Sequence, residues 1–468
     1  MVFSLKENFR YNFLNMEYSA ILDGQRKYFN EGGTRNPKSR KAALKKLMNI
    51  LKSSEARLNE AIMADFGKSE FDAYTSELSM IYSEIRFQLR HLKGFSRARR
   101  ARTNVANKPG RYYVVPEPLG CSLIIGAWNY PYQLTLVPLI DAIAAGCTCI
   151  LKPSEMAPAT SKLLAELLNG NFPNEYVYVA EGGADVASAL LALKFDKIFF
   201  TGSTRVGKIV YEAAAKNMTP VTLELGGKSP VFVTADANLE IAAKRIVWGK
   251  FLNAGQTCVA PDYVYVEEDV LPQFISLLKA QISFNKYGDG SNNYTRIINE
   301  RHFDRILGLI DPSKVVFGGG SNRSTLFIEP TIMSGVTWDD AVMQEEIFGP
   351  VLPLLTFKDL DDAIETVRSK ERPLAAYVFS SRKSEQKAVI EGLSFGGGCV
   401  NDVVMHMVNE NVPFGGVGAS GIGSYHGRAG FDCFTHHKTI LRKGYFETSL
   451  KYPPYSANHF RAIRRILK

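Results

Sequence analysis

An α/β fold built on parallel sheets is what this sequence predicts, and three observations carry the prediction. Apolar runs of strand length alternate with helical patterns from residue 119 to about 216. The alternation restarts after Glu224 and runs on to about residue 400. The chain has 468 residues, more than one domain's worth, and 46% of them are hydrophobic, enough to fill sizeable cores. Strand, helix, strand, helix is the pattern of a parallel sheet. Ligands of such sheets sit beyond the carboxyl ends of the strands.

In chain order, residues 1–15 look unlike the rest, and Met16 could serve as an alternative start, so a loosely ordered extension is expected there. Residues 18–92 are helical in pattern; 38–51 repeat apolar positions every three or four residues. Gly94, Pro109 and Gly110 break that pattern, and 112–116 reads as extended. Strand 122–126 ends in the turn Ala127-Trp128-Asn129-Tyr130-Pro131, and a helix 134–145 closes at Gly146. Strand 148–151 ends in Lys152-Pro153-Ser154-Glu155, followed by a helix near 159–168. Strand 176–179, helix 185–193 and strand 197–200 lead to Thr201-Gly202-Ser203-Thr204-Arg205-Val206-Gly207 and a helix to about 216. A turn of this kind offers backbone N–H groups to a phosphate, although it is neither a Walker loop nor Gly-x-Gly-x-x-Gly. An ordinary strand–helix turn is the alternative.

Beyond Glu224 the expected elements are strand 230–234, helix 238–252, strand 263–266 and helix 270–281. Residues 285–330 read as irregular, and helix 359–369 and strand 375–379 follow. The stretch 413–426 holds five glycines in fourteen residues, a loop that must pack close to something. A last strand is expected over 431–441, and Phe460, Ile463 and Leu467 between arginines read as a short amphipathic helix.

Composition narrows the function. The six cysteines (121, 147, 149, 258, 399, 433) have no metal or disulfide-framework spacing, no signal peptide opens the chain, and no apolar run is long enough to span a membrane. Free thiols in a reducing, cytoplasmic setting are expected, with no metal. The net charge of +9 collects at Arg97, Arg99, Arg100 and Arg102, and at Arg461, Arg464, Arg465 and Lys468. Solvated faces explain such runs; weak attraction to an anionic membrane or to nucleic acid is the sharper reading, although no nucleic-acid motif accompanies them.

One cysteine stands apart. Cys258 lies in the polar loop Asn253-Ala254-Gly255-Gln256-Thr257-Cys258, between an apolar helix and an apolar strand. A lone cysteine is commonly a small buried hydrophobe. Here no aliphatic neighbours flank the thiol, and Gly255 lets backbone come close. Upstream, Glu224 is framed by Leu223 and Leu225 and followed by two glycines, which suits a desolvated base for a cysteine enzyme.

Seven motifs in order then resemble the aldehyde dehydrogenases over nearly the whole chain from about residue 17. They are Trp128–Pro131, Lys152–Glu155, Phe200–Thr204, Glu224–Lys228, Gly255–Cys258, Glu346–Pro350 and Pro413–Gly416. Gly255–Tyr263, Gly423-Ser-Tyr-His-Gly427 and Tyr452-Pro-Pro454 resemble the class 3 branch. The resemblance implies a doubly wound NAD-binding domain (1–99 and 119–224), a second α/β catalytic domain (225–426), and a small β dimerisation extension with a tail (100–118 and 427–468). It implies oxidation of medium- or long-chain aliphatic or aromatic aldehydes to acids by a homodimer. Cys258 would be the nucleophile, Asn129 an oxyanion donor and Glu224 the base that activates water. Lys152, Glu155, Gly202, Ser203, Gly207, Glu346 and Phe348 match cofactor-binding positions. A carboxylate at Glu155 favours NAD, with NADP an alternative. Arg205 is unexpected in its turn and reads as solvated or as a phosphate contact. Tyr74, Tyr130, Met405 and Phe414 are candidates for the substrate tunnel, with core packing the alternative for each. The short basic tail suggests at most weak peripheral membrane contact. Rival readings are a CoA-acylating enzyme of the same kind and a non-catalytic protein on the same fold.

Overall fold

In the computed structural model, the backbone of residues 5–467 and the side chains of 14–467 are described. Residues 1–4 of the expected extension and Lys468 of the basic tail lie outside the described residues; from Leu5 the chain is already helical, to Asn30. Helices Pro37–Ser53, Glu55–Phe66 and Ser79–Phe95 follow, their apolar positions buried as the three-and-four spacing requires.

The first sheet has the order Gly421–Ile422, Val221–Glu224, Lys197–Thr201, Cys121–Ile125, Thr148–Lys152, Val177–Val179. All pairs are parallel except Gly421–Ile422 on Val221–Glu224. The strand that comes first in the chain, Cys121–Ile125, thus lies between the second and the fourth. The order reverses at that point, and the carboxyl ends of Cys121–Ile125 and Lys197–Thr201 open a crevice. Both strands are buried along their whole length, which is why they read as unbroken apolar runs. The glycine-rich stretch ends its search for a close neighbour here: Gly421 pairs with Glu224.

The second sheet runs Val315–Phe317, Thr331–Met333, Val351–Phe357, Tyr263–Glu267, Pro230–Val233, Ala375–Phe379, Gly397–Val400, parallel except at its first strand. A third, antiparallel sheet joins Arg99–Ala101, Arg111–Pro118 and Thr435–Arg442, with Thr435 opposite Pro118 and Arg442 opposite Arg111.

Two expectations are corrected. Residues 285–330 are not irregular throughout: they hold the helix Glu300–Leu307 and the short strands Val315–Phe317, Ser321–Asn322 and Phe327–Ile328. That helix is short and half charged, and buries only Phe303 and Ile306, so its period is too brief to read. The last strand begins at Thr435, because Gly427–Cys433 is a helical turn that buries Gly430 and Phe431. Among the described residues no helix is long and apolar enough to cross a membrane, and all six cysteines are free thiols.

Candidate active site

The helix Leu239–Phe251 stops because the chain turns left-handed at three successive residues, Asn253 (φ 53°), Ala254 (φ 51°) and Gly255 (φ 76°). Asparagine and glycine tolerate that region; alanine does so at a cost. At Gly255 glycine is required twice over, since a Cβ would stand 2.2 Å from the Gly349 carbonyl oxygen. The turn carries Cys258 to the head of the strand Tyr263–Glu267. Gln256, fully buried, pins it: its Nε2 donates to Asn253 O (3.0 Å) and Arg296 O (3.1 Å), and its Oε1 accepts from Ile298 N (3.0 Å).

Glu224 closes the strand Val221–Glu224 and is buried, with Oε1 left without a partner. Its carboxylate lies close enough to Cys258 for each group to shift the other's titration. Burial pushes the Glu224 carboxyl up to about 7, against the smaller opposing effect of the thiol's hydrogen bond. Burial, and then the nearby Glu224 and Glu346 carboxylates, push the Cys258 thiol well above the usual range. A thiol so held does not ionise into its surroundings.

Asn129 lies beyond the carboxyl end of Cys121–Ile125. Its side-chain Nδ2 donates to Gln256 O at 3.1 Å, two residues before the cysteine, and the amide keeps a second N–H. Its carbonyl accepts from Asn253 Nδ2 at 3.0 Å and from Lys68 Nζ at 3.2 Å. Tyr130 is buried beside it and its hydroxyl meets Thr257 Oγ1 at 2.6 Å. Asn129, Tyr130, Glu224 and Cys258 are therefore brought together across the two sheets.

The other predicted residues surround the same crevice or stand away from it. Lys152 ends its strand and donates from Nζ to Glu155 Oε2 at 2.5 Å, while the Glu155 carboxylate stays half-exposed. Ser203 caps the helix Thr204–Ala215 by accepting from Val206 N at 3.4 Å, and Gly207 packs on Leu225. Glu346 is half-buried against the backbone at Gly226, where a Cβ would stand 2.0 Å from its Oε2; loss of hydration and the Asp262 charge push its carboxyl up to about 8. Phe348, at φ 47°, sets its ring edge-on to Trp128 at 5.3 Å. Asp262 anchors that segment, accepting from Ile347 N at 3.0 Å and from Lys228 Nζ at 2.5 Å. Of the tunnel candidates, Tyr74 and Met405 are half-exposed, whereas Phe414 is buried with its ring stacked on His426 at 5.4 Å. Arg205 is exposed.

Sequence reading missed several neighbours. The Tyr425 hydroxyl is buried without a partner and lies near enough to Glu224 and Cys258 to feel both charges. Lys250 is fully buried, and burial lowers its ammonium to about 8. Lys68 and Glu77 reach the Asn129 turn from the N-terminal helices. Tyr425 sits inside a quoted motif and could have been singled out; Lys68, Glu77 and Lys250 carry no local signal.

With this geometry in place, comparison with known proteins gives a consistent result. The sequence model of the aldehyde dehydrogenase family matches residues 15–440. A 4,4'-diaponeurosporen-aldehyde dehydrogenase of Staphylococcus aureus is 44% identical, over 94% of this chain and 97% of that protein. Aldehyde dehydrogenase family 3 member A2 of Rattus norvegicus is 46% identical, over 92% of this chain and 90% of its own length. A solved structure described as the substrate-bound state of Staphylococcus aureus AldH superposes with a TM-score of 0.94. It is 43% identical and covers 96% of this chain and 99% of that one.

Proposed function

The chain belongs to the aldehyde dehydrogenase family, in its class 3 branch, and is thus an oxidoreductase acting on aldehydes; from that premise we propose that it oxidises medium- and long-chain aliphatic or aromatic aldehydes to carboxylic acids with NAD, or with NADP, through a cysteine thioester. The observation that carries the reading is the buried Glu224 carboxylate, its Oε1 without a partner, beside the loop of Cys258 on which the Asn129 amide also sits.

Glu224 takes the thiol proton and the Cys258 sulfur attacks the aldehyde carbon, forming a thiohemiacetal. The oxyanion is met by the Asn129 amide and the Cys258 backbone N–H. Losing the Asn129 donor is expected to lower kcat about 100- to 1,000-fold. A bound NAD would supply the acceptor for the hydride that leaves the thiohemiacetal carbon. Glu224, once it has released the thiol's proton to solvent, takes a proton from the water that attacks the thioester and returns it to the Cys258 sulfur as the acid leaves. Each turnover converts aldehyde, oxidised cofactor and water into acid, reduced cofactor and a proton.

The residues present fit a dinucleotide. The crevice lies where the strand order reverses. The twelve-residue helix Thr204–Ala215 turns its N-terminus towards it. Gly202 leaves that turn narrow, since a Cβ there would meet the Phe200 ring at 2.6 Å. Lys152 and Glu155 would hold the adenosine ribose, Gly202, Ser203 and Gly207 the pyrophosphate, and Glu346 and Phe348 the nicotinamide ribose. The half-exposed Glu155 carboxylate suits a free ribose hydroxyl and disfavours an added phosphate, so NAD is the preferred form. The relative acting on diaponeurosporen-aldehyde supports a long apolar substrate. Tyr74, Tyr130, Met405 and Phe414 remain the residues proposed to line its path.

The third sheet is proposed to join two copies of the chain. The free thiols are in keeping with a reducing, cytoplasmic setting. The tail helix Ala457–Ile466 exposes Phe460 and Ile466 beside Arg461, Arg464 and Arg465, which supports weak peripheral contact with anionic membranes; equal pelleting of full-length and tail-truncated protein with anionic liposomes would rule that out.

The test of the main reading is initial-rate NADH and NADPH formation over aldehydes from acetaldehyde to hexadecanal, and benzaldehyde, with Cys258→Ala alongside. Turnover that rises with chain length and vanishes in the variant is expected. Activity that survives Cys258→Ala would remove the nucleophile. Product that appears as a CoA ester only when CoA is supplied would favour the acylating alternative.

A further inference from the structure

Two charged residues sit under the active site with no part in the chemistry above. Lys68 is 1% exposed and Glu77 0%. Lys68 Nζ donates to Glu77 Oε1 at 3.0 Å. Burying such a pair is costly, and apolar residues of the same volume commonly serve stability as well or better. Fold stability alone therefore does not explain its placement.

The remaining hydrogen bonds of both residues go to one short segment. Lys68 also donates to the Asn129 carbonyl at 3.2 Å, and its ammonium stands 4.2 Å from the centre of the Tyr130 ring. Glu77 Oε2 accepts from Tyr132 N at 2.8 Å and from Gln133 N at 3.2 Å. Residues 129, 130, 132 and 133 are gripped from one side by a single ion pair. From the other side Asn253 Nδ2, on the cysteine's own loop, donates to the same Asn129 carbonyl at 3.0 Å. The backbone at Asn129 is thus clamped between the N-terminal helices and the Cys258 loop, and its amide has little freedom left. Glu77 reaches inward from a π-type turn, Tyr74–Leu78, inserted in the helical run; such insertions re-aim side chains and recur at functional sites.

We infer that Lys68 and Glu77 are positioning residues that hold the Asn129 amide at the oxyanion position, so that Lys68 sets kcat through Asn129 without touching substrate. This rests on the reading of Asn129 as an oxyanion donor.

The experiment is steady-state kinetics with a long-chain aldehyde on Asn129→Ala, Lys68→Met, Lys68→Met/Glu77→Gln and Lys68→Met/Asn129→Ala. Thermal midpoints and the rate of Cys258 alkylation by iodoacetamide are measured on each. Lys68→Met is expected to lower kcat at least about 10-fold with KM changed less than about 3-fold, as for loss of an interaction made in the transition state. The alkylation rate should stay near that of the parent. In the Asn129→Ala background Lys68→Met should cost less than about 2-fold more, because residues acting as one unit are non-additive. Multiplying effects, or a kcat within 2-fold of the parent for Lys68→Met, would overturn the inference. If Lys68→Met does not fold, the double neutral variant, which leaves no lone buried charge, is read by the same criteria. An undiminished kcat in Asn129→Ala is a separate outcome: it overturns the oxyanion reading itself, and this inference with it.

Discussion

Glu224 ties activity to stability at a single residue. Its carboxyl is pushed from 4.5 up to about 7 by burial, so folding favours the protonated form. The stability this gives is complete below pH 4.5 and is lost as pH rises through 7, by about 3 kcal/mol at pH 9. Glu224→Gln removes the penalty. It is expected to raise the unfolding free energy by up to about 3 kcal/mol at pH 9 and to leave it unchanged near pH 4.5, while hydrolytic turnover is lost. Denaturant titrations at the two pH values check this; equal differences at both would sink it. In the parent, turnover limited by the ionised carboxylate should rise through pH 7. Cys258, Glu224 and Asn129 could be singled out in the sequence because each sits in a short motif, and the fold brings their segments together. Lys68 could not, because what gives it meaning is a carbonyl 61 positions away. Only the folded chain brings a lysine with no local signal under Asn129.

At the scale of elements, the central strands Cys121–Ile125, Thr148–Lys152, Lys197–Thr201, Pro230–Val233, Tyr263–Glu267 and Ala375–Phe379 were legible because they are buried and read as unbroken apolar runs, whereas Val221–Glu224, Val315–Phe317 and Thr331–Met333 were not. The helix Glu300–Leu307 was not, because two buried residues in eight leave no period to detect. The cysteine turn was legible as a loop, but its left-handed run was not. Its shape depends on contact with Gly349, far along the chain. Gly255→Ala should therefore cost more than backbone preference alone. Gly67, also left-handed at φ 69°, has nothing within 4 Å of a Cβ position. Gly67→Ala is expected to cost about 1 kcal/mol. Gly255→Ala is expected to cost about 2–4 kcal/mol, the clash adding to the strain, with a fall in Cys258 alkylation rate as the loop shifts. Equal costs by chemical denaturation would mean that the loop yields freely and that its close packing on Gly349 is incidental.

For the whole molecule, the third sheet poses a problem that one chain does not solve. Thr435–Arg442 pairs on one side with Arg111–Pro118 and is the outermost strand on the other. An eight-residue edge presents a row of unpaired backbone groups, and proteins cover or blunt such edges. This one carries the exposed Ile440, and beyond it the tail leaves Tyr445, Phe446 and Tyr455 exposed. The sequence announced the two strands, but no single chain announces what lies against them. A second copy would supply the cover at no cost in new sequence, and closed symmetric pairing is the commonest arrangement. Sedimentation equilibrium should give a mass of twice the 52.0 kDa of one chain. Ile440→Lys places a charge on the edge and should shift the protein to the 52.0 kDa species, with the active-site alkylation rate unchanged. A parent protein that sediments as a monomer at micromolar concentration would show instead that the edge is tolerated uncovered. A dimer unmoved by Ile440→Lys would place the contact elsewhere on the surface.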